Sequence, residues 1–533
     1  MTGKQMSDQS QSAASPDDVP IAETGPVLAA DGRPLKQSLN RALRRQKLRA
    51  LMLIAPLLIF ILITFIAPIA DMLFRSVENQ IVSDTLPRTV KELADWKPDD
   101  AELPPPAAFA ALYTDLFIAA EEKAHTRLGS RLNYEATGVS SLFRKSGRRV
   151  DNLGEDYVDA ITAADAGWKK PGPWAVLAET AGSALPRFAD VWGEFARVAK
   201  VNDKDPAGEK PWELLFVSLA EDLRAGGAAA YDGPLKRELD QITQALVEVA
   251  PVDYQAALVE IDAGWADRTV WATIKTYAPR FTPGYFLNAA DMHLGPDGIA
   301  LKPENQRLYV MLFQRTLIMS LSITLATILL GYPVAWLLAN LPMRISNLLM
   351  ILVLLPFWTS LLVRTSAWKV LLQQQGVIND ILVWIGLVAD DNRLVLINNA
   401  TGTIIAMTHI LLPFMILPLY SVMQTIPPSY LRAAKSLGAN NWTAFWRVYF
   451  PQSVPGIGAG SILVFILAIG YYITPELVGG TSGVFISNRI AYHISTSLNW
   501  GLAAALGAIL LAAVLLLYWA YDRIVGIDNV KLG

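Results

Sequence analysis

Arg364 sits within PFWTSLLVRTSAWKVLL and Glu476 within ITPELVGG, each inside or beside a long apolar run, with Trp358, Tyr471 and Tyr472 nearby in the sequence. An ionisable side chain in such a run is expensive to bury, so it faces a bundle interior or an aqueous boundary and marks a candidate translocation path. Glu476 and the three rings suit a cation, by charge and by ring face. Arg364 suits an anion equally well, or serves structure alone by snorkelling outward or pairing with Glu476 or a helix end. His409, in MTHILLPFMILPL, reads as a packed or hydrogen-bonded histidine rather than a ligand.

Bond-breaking chemistry finds no residues to carry it. The four histidines, His125, His293, His409 and His493, are scattered, with no HExxH or Cys/His spacing for a metal. There is no GxSxG elbow and no GxxxxGK[ST] phosphate loop, so no catalytic residue, cofactor or metal is expected, and ATP would have to bind another chain. Cysteine is absent, which removes thiol and disulfide chemistry.

The candidate residues are positioned by apolar segments. Apolar residues make up 53% of the chain and charged ones 17%, and the charges are segregated. Residues 77–305 hold 36 of the 48 acids and 24 of the 45 bases, a net charge of −12, which leaves +9 elsewhere. Outside that block, apolar runs at 51–70, 311–341, 348–372, 401–426, 454–473 and 502–521 match the roughly 20 residues that cross about 30 Å of hydrocarbon. Pro356, Pro413 and Pro418 are tolerable kinks within them. The first run is too long for a signal peptide and has no cleavage site, so it stays as an anchor. Arg41, Arg44, Arg45, Lys47 and Arg49 precede it and place the amino terminus in the cytoplasm. Six crossings then put Arg344, the trio Arg432, Lys435 and Arg447, and the tail with Arg523 and Lys531 on the same inner side. The expected organisation is a cytoplasmic, largely disordered tail over 1–50, a first transmembrane helix over 51–76, a periplasmic, mainly helical domain over 77–305, a five-helix core over 306–525 and a cytoplasmic tail over 526–533.

Within 77–305, helical apolar periodicity is interrupted by Pro, Gly and Asp breaks, and the stretch through Pro106 reads as a linker. A frame of Tyr-x2-Ala-aliphatic-x3-Asp-Ala-Gly-Trp-x5-Trp occurs from Tyr157 and again from Tyr254. Two copies are too few for a solenoid, so a duplicated helix-turn-helix with tryptophans as core anchors is expected.

Residues 428–451 form a polar interruption between two apolar runs. Pro428 and Ser429 make a helix start and Gly438 a left-handed stop. Asn440 and Asn441 offer cap oxygens for a second helix, on which Trp442, Phe445, Trp446 and Tyr449 fall on one face, stopped by Pro451.

This segment resembles the coupling loop of ABC importer permeases, whose pattern is Glu-Ala-Ala, three residues, Gly, nine residues, Ile-x-Leu-Pro. Ala433, Ala434, Gly438 and Pro451 match at full spacing, Val448 and Phe450 replace Ile and Leu, and Arg432 stands in place of the glutamate. GYPVAWLLA at Gly331, LLPFWTSLLVRTSAW at Leu354, LPFMILPLYSVMQTIPPS at Leu412 and ITPELVGG at Ile473 narrow the resemblance to the spermidine/putrescine class, over 309–525 plus the first run. The resemblance implies an all-α membrane protein with a six-helix type I importer bundle in the inner membrane, carrying a polyamine or related solute. It further implies a second permease subunit, ATPase subunits gripping the loop through its four aromatic residues, and a periplasmic solute-binding protein. Usual members have a short outer loop where this chain has 77–305, and Tyr254 to Asp291 resemble that loop. Nucleic acid is not an expected partner, because the outer block is acidic and the basic cluster is juxtamembrane. A membrane sensor or scaffold with a periplasmic ligand domain would need a transmitter segment after Tyr521, and a secondary transporter an inverted repeat; neither is seen.

Overall fold

The computed structural model describes residues 35–98, 102–295 and 298–525 and divides between Asp71 and Met72 into two compact units. In the first, a helix over Leu35–Ile61 passes into a π-helical turn, Leu62–Ile66. Within the tail expected to be largely disordered over 1–50, the described residues are helical from Leu35, because LKQSLNRALRRQKLRALM is made almost wholly of good helix formers. Leu53, Leu57 and Ile63 are exposed, as a lipid-facing helix requires. Continued by Ala67–Arg75, the first apolar span runs over Gln46–Arg75. Residues 1–34 and the tail 526–533 lie outside the described residues.

Four further helices are long and apolar enough to cross a membrane: Tyr309–Asn340, Ala400–Gln424, Asn441–Gly470 and Trp500–Arg523. The span expected over 348–372, with a kink at Pro356, is two helices, Met343–Trp358 and Leu361–Leu371, bent by 96°. Pro356 weakens the first helix near its end. Thr359 and Ser360 are extended, and the Thr359 hydroxyl donates to the Pro356 carbonyl at 2.9 Å, closing the broken turn. Each half is too short to cross alone.

Ala400–Gln424 is the central helix, packed between Tyr309–Asn340 and Asn441–Gly470 through buried Ile323, Met415, Leu419 and Val464. Gly460 permits the approach: a Cβ there would lie 2.7 Å from the Met415 sulfur. The bundle is thus held by close packing rather than by charge.

The 77–305 block is mainly helical, with a single described β-hairpin pairing Met292 with Leu301 and Gly295 with Gly298. Its first residues are not a linker. Ile81–Thr85 and Pro87–Glu92 are helices that bury Val82, Leu86, Leu93 and Trp96. Their anchor is Asp115, which accepts from the Thr89 backbone N–H at 2.7 Å and pairs with Arg88 at 3.1 Å. Short elements of this kind are hidden from periodicity, because five or six residues barely fill one period.

The duplicated frame is a duplicated structure. In each copy a helix ends at an extended aspartate whose side chain accepts from the N–H two residues on, Asp165 from Gly167 at 2.8 Å and Asp262 from Gly264 at 3.0 Å. A 3₁₀ turn follows, and the second tryptophan donates to the carbonyl of the first, Trp174 to Trp168 at 2.7 Å and Trp271 to Trp265 at 2.9 Å. All four indoles are fully buried, so the frame builds core and not a ligand box.

The block joins the spans through polar groups. Asp291 accepts from the N–H groups of Leu308, Tyr309 and Val310, satisfying the donors at the start of the Tyr309–Asn340 helix. Glu135 receives Arg131, Tyr277 and Asn288 at 2.6 to 2.8 Å, and the Arg131 Nε donates to the Tyr285 hydroxyl at 2.9 Å. Tyr285 in turn lies on the backbone of Gly501 in the last span.

Candidate functional site

The 428–451 loop follows its expected start and turn closely. Pro428 opens a helix ending at Ser436, and Gly438 takes φ +91°, a conformation cheap only for glycine. The Gly438 N–H donates to the Lys435 carbonyl at 3.0 Å and the Ala439 N–H to the Ala434 carbonyl at 3.1 Å, the paired bonds of a Schellman cap. Asn440 then caps the next helix, its side chain accepting from the Thr443 N–H at 2.7 Å.

Two expectations for the second helix fail. Pro451 does not stop it: Asn441–Ala444, a π-helical turn over Phe445–Tyr449 and the helix Phe450–Gly470 run on as one apolar span, which starts at Asn441 instead of 454. Proline is tolerated in a first helical turn, and the π turn has already displaced the hydrogen-bond ladder ahead of it. The span ends at Gly470, with Tyr471 extended, so Ile473 belongs to the separate helix Ile473–Val478.

The four aromatic residues also do not share one face. Trp442 and Trp446 are exposed and meet edge to face at 5.6 Å. Phe445 and Tyr449 turn inward, stacked at 5.9 Å, with Tyr449 only 3% exposed. The π turn adds a residue to the period and rotates the pattern. Phe445 and Phe450 pack against Tyr332 of the second span, and the Tyr332 and Ser453 hydroxyls are 2.9 Å apart. The loop therefore presents an outer surface of Arg432, Ala433, Lys435, Leu437, Trp442, Trp446 and Arg447, while its inner side is keyed into the bundle. Leu437, 90% exposed at the turn, is the most prominent apolar side chain on it. Ala434 is half-buried and Pro451 exposed.

The solute-path candidates are only partly gathered. The Thr365 and Thr474 hydroxyls, 3.1 Å apart, tie the Leu361–Leu371 helix to Ile473–Val478 and so bring Arg364 and Glu476 to neighbouring turns. They do not pair: Glu476 is exposed and accepts from the Asn488 amide at 2.6 Å, while the Arg364 Nε is buried without a hydrogen-bond partner among the described residues. Arg364 is within electrostatic reach of Tyr471 and His409. Tyr472 is exposed, and Trp358 is exposed before the 96° bend. His409 accepts from the Trp368 indole at 3.1 Å, a satisfied histidine as expected. No group of three metal-ligating side chains occurs among the described residues.

Leu437 and Tyr332 were not singled out by sequence. A lone leucine carries no exposure signal, and the partner of Tyr332 lies 121 residues away.

Five apolar helices among the described residues, or six if the bent pair is one span, and a capped two-helix loop seated on the second of them mark a multi-pass membrane protein. Residues 311–525 match the family model of the binding-protein-dependent transport system inner membrane component. The chain is similar to the spermidine/putrescine transport system permease protein PotB of Escherichia coli, 37% identical over 220 residues, which are 41% of this chain and 79% of the relative. PotB of Haemophilus influenzae is 36% identical over 216 residues, 40% of this chain and 75% of the relative. The inner membrane ABC transporter permease protein YdcU of Escherichia coli is 36% identical over 203 residues, 36% and 64%. A chain in the crystal structure of a bacterial alginate ABC transporter aligns with TM-score 0.34 and 18% identity, over 40% of this chain and 77% of that one.

The chain belongs to the binding-protein-dependent transport system inner membrane component family: it is a multi-pass inner-membrane permease subunit of an ABC importer. It is not an enzyme; ATP hydrolysis falls to partner ATPases, and the family also works with a solute-binding protein.

Proposed function

We propose that this permease imports a polyamine or a related small cation, and that it is driven through the 428–451 loop on the cytoplasmic side. The observation that carries the reading is the loop's two-sidedness: Leu437, Trp442 and Trp446 stand out, while Phe445 and Tyr449 lock onto the second span. An ATPase gripping the outer side moves the inner side, and through Tyr332 the span. Arg432 and Lys435 make the gripped surface basic, which calls for an acidic groove on the partner.

In this orientation both termini face the cytoplasm and the 77–305 block faces the periplasm, where it meets the solute-binding protein. The first span and the five-helix core make half of the pathway, and a second permease subunit supplies the other half. Support for the solute class comes from the names of the two PotB relatives and from Glu476, an exposed residue whose carboxylate shares the Asn488 amide with the backbone carbonyl of exposed Tyr472. A carboxylate and ring faces attract an organic cation, and Arg364 on the adjoining helix sets where a positive solute can rest.

Reconstitution with the ATPase and binding protein tests this. A Gly438→Asp variant is expected to insert in the membrane but to lose solute-stimulated ATP hydrolysis, and Glu476→Gln to lower spermidine uptake about tenfold while leaving basal hydrolysis unchanged. Full stimulation in the first variant contradicts the coupling, and unchanged uptake in the second contradicts the solute path.

A further inference from the structure

A cleft of about 570 Å³ opens where the 77–305 block meets the ends of the first and last spans. Arg75, Arg127 and Arg131 line it together with Glu78, which Arg280 and Gln80 already engage. Arg127 is exposed and makes no ion pair among the described residues. Arg131 is different: its side chain is only 5% exposed, with Nε on Tyr285 and Nη1 on Glu135, and its Nη2 is buried with no hydrogen-bond partner. A second buried donor without a partner, the Asn499 Nδ2, lines the same cleft, since the Asn499 Oδ1 is occupied in accepting from the Leu502 N–H.

Both open groups are donors, and neither can accept. Buried donors left unpaired cost about 1–3 kcal/mol each, so the cleft selects an occupant rich in acceptors. Water would satisfy a donor, but it would leave the charge of Arg127, which no described carboxylate pairs, unanswered. A phosphate group answers both, with acceptor oxygens for the guanidinium forks and a negative charge.

The position narrows the source. Arg75 is the last residue of the first span and Trp500 the first of the last span. The cleft therefore stands where hydrocarbon gives way to headgroups, and exposed Trp500 and Leu498 form an apolar lip beside it, as an interfacial anchor would. We propose that this cleft binds the phosphate of an anionic membrane lipid, with the headgroup on Arg127, Arg131 and Asn499 and the acyl chains along Leu498 and Trp500. Bound there, the lipid bridges the 77–305 block and the last span.

Native mass spectrometry of the full detergent-solubilised chain tests the site, with phosphatidylglycerol, phosphatidylcholine and inorganic phosphate as probes. Phosphatidylglycerol is expected to be retained over phosphatidylcholine, and Arg127→Glu to weaken it about tenfold, while Arg148→Glu, an exposed charge elsewhere on the block, changes it less than about twofold. Arg127 is exposed, so its reversal leaves the fold intact. Equal retention of the two lipids, or an Arg127→Glu chain that keeps phosphatidylglycerol to within about twofold, would overturn the proposal. Capture of inorganic phosphate without phosphatidylglycerol would overturn the lipid source.

Discussion

Within the 428–451 loop, neighbours of the same chemical type have opposite duties. Trp442 is 71% exposed and Tyr449 3% exposed, although both belong to one aromatic run. Trp442→Ala is therefore expected to leave the melting temperature nearly unchanged and to lower ATPase coupling, whereas Tyr449→Ala empties a buried site and costs about 3–5 kcal/mol. Thermal unfolding beside stimulated ATP hydrolysis separates the two. His493 gives a pH test at the same scale. Burial, and then Arg489, push its imidazole down to about 4, and it lies between the Tyr309 and Ser497 hydroxyls at 3.0 and 2.8 Å. Because the folded state holds the proton less tightly than the unfolded chain, its stabilising share is whole above about pH 6.5 and is lost as pH falls towards 4. Melting measured at pH 7.5 and pH 5 is expected to differ by more in the native chain than in His493→Gln.

Among the elements, the sequence was most legible where a local rule acts alone. Gly438 announced a left-handed turn, Asn440 a cap, and the Asp-Ala-Gly-Trp frame a repeated corner, because each is decided by a few adjacent residues. It was least legible where a distant contact or an inserted residue intervened. The π turn at Phe445–Tyr449 rotated two rings inward and carried the helix through Pro451, and no composition signal marks such a turn. The 96° bend needed Thr359 to close on Pro356, which an apolar count over 348–372 cannot register. The repeated corners are testable as packing units. Trp265→Ala removes an indole that touches Phe143 and Trp271 and donates to Ser146, and a loss of about 3–5 kcal/mol in thermal or denaturant unfolding is expected.

Across the whole molecule, the 77–305 block is woven into the permease rather than appended to it. Phe109 packs on Trp271 and Tyr113 on Tyr254, so the Pro106–Glu121 helix shares its core with the helices that follow residue 253. Asp291 caps the second span, and Tyr285 rests on the last. Excising residues 107–250 would strip Phe109 and Tyr113 from Trp271 and Tyr254, so point variants are the better probe of the block. Orientation is accessible because the chain has no cysteine of its own. Single cysteines at Leu437 and Val247, both highly exposed, are expected to react with a membrane-impermeant thiol reagent from opposite sides of the membrane.

Cross-linking reads directly whether the ATPase holds the permease by the loop's outer surface. With a thiol-linked photo-cross-linker on Leu437→Cys in the reconstituted transporter, the predicted result is a covalent adduct with the ATPase subunit, absent when the linker sits on Val247→Cys. ATPase stimulation by solute with no adduct at Leu437 would contradict it.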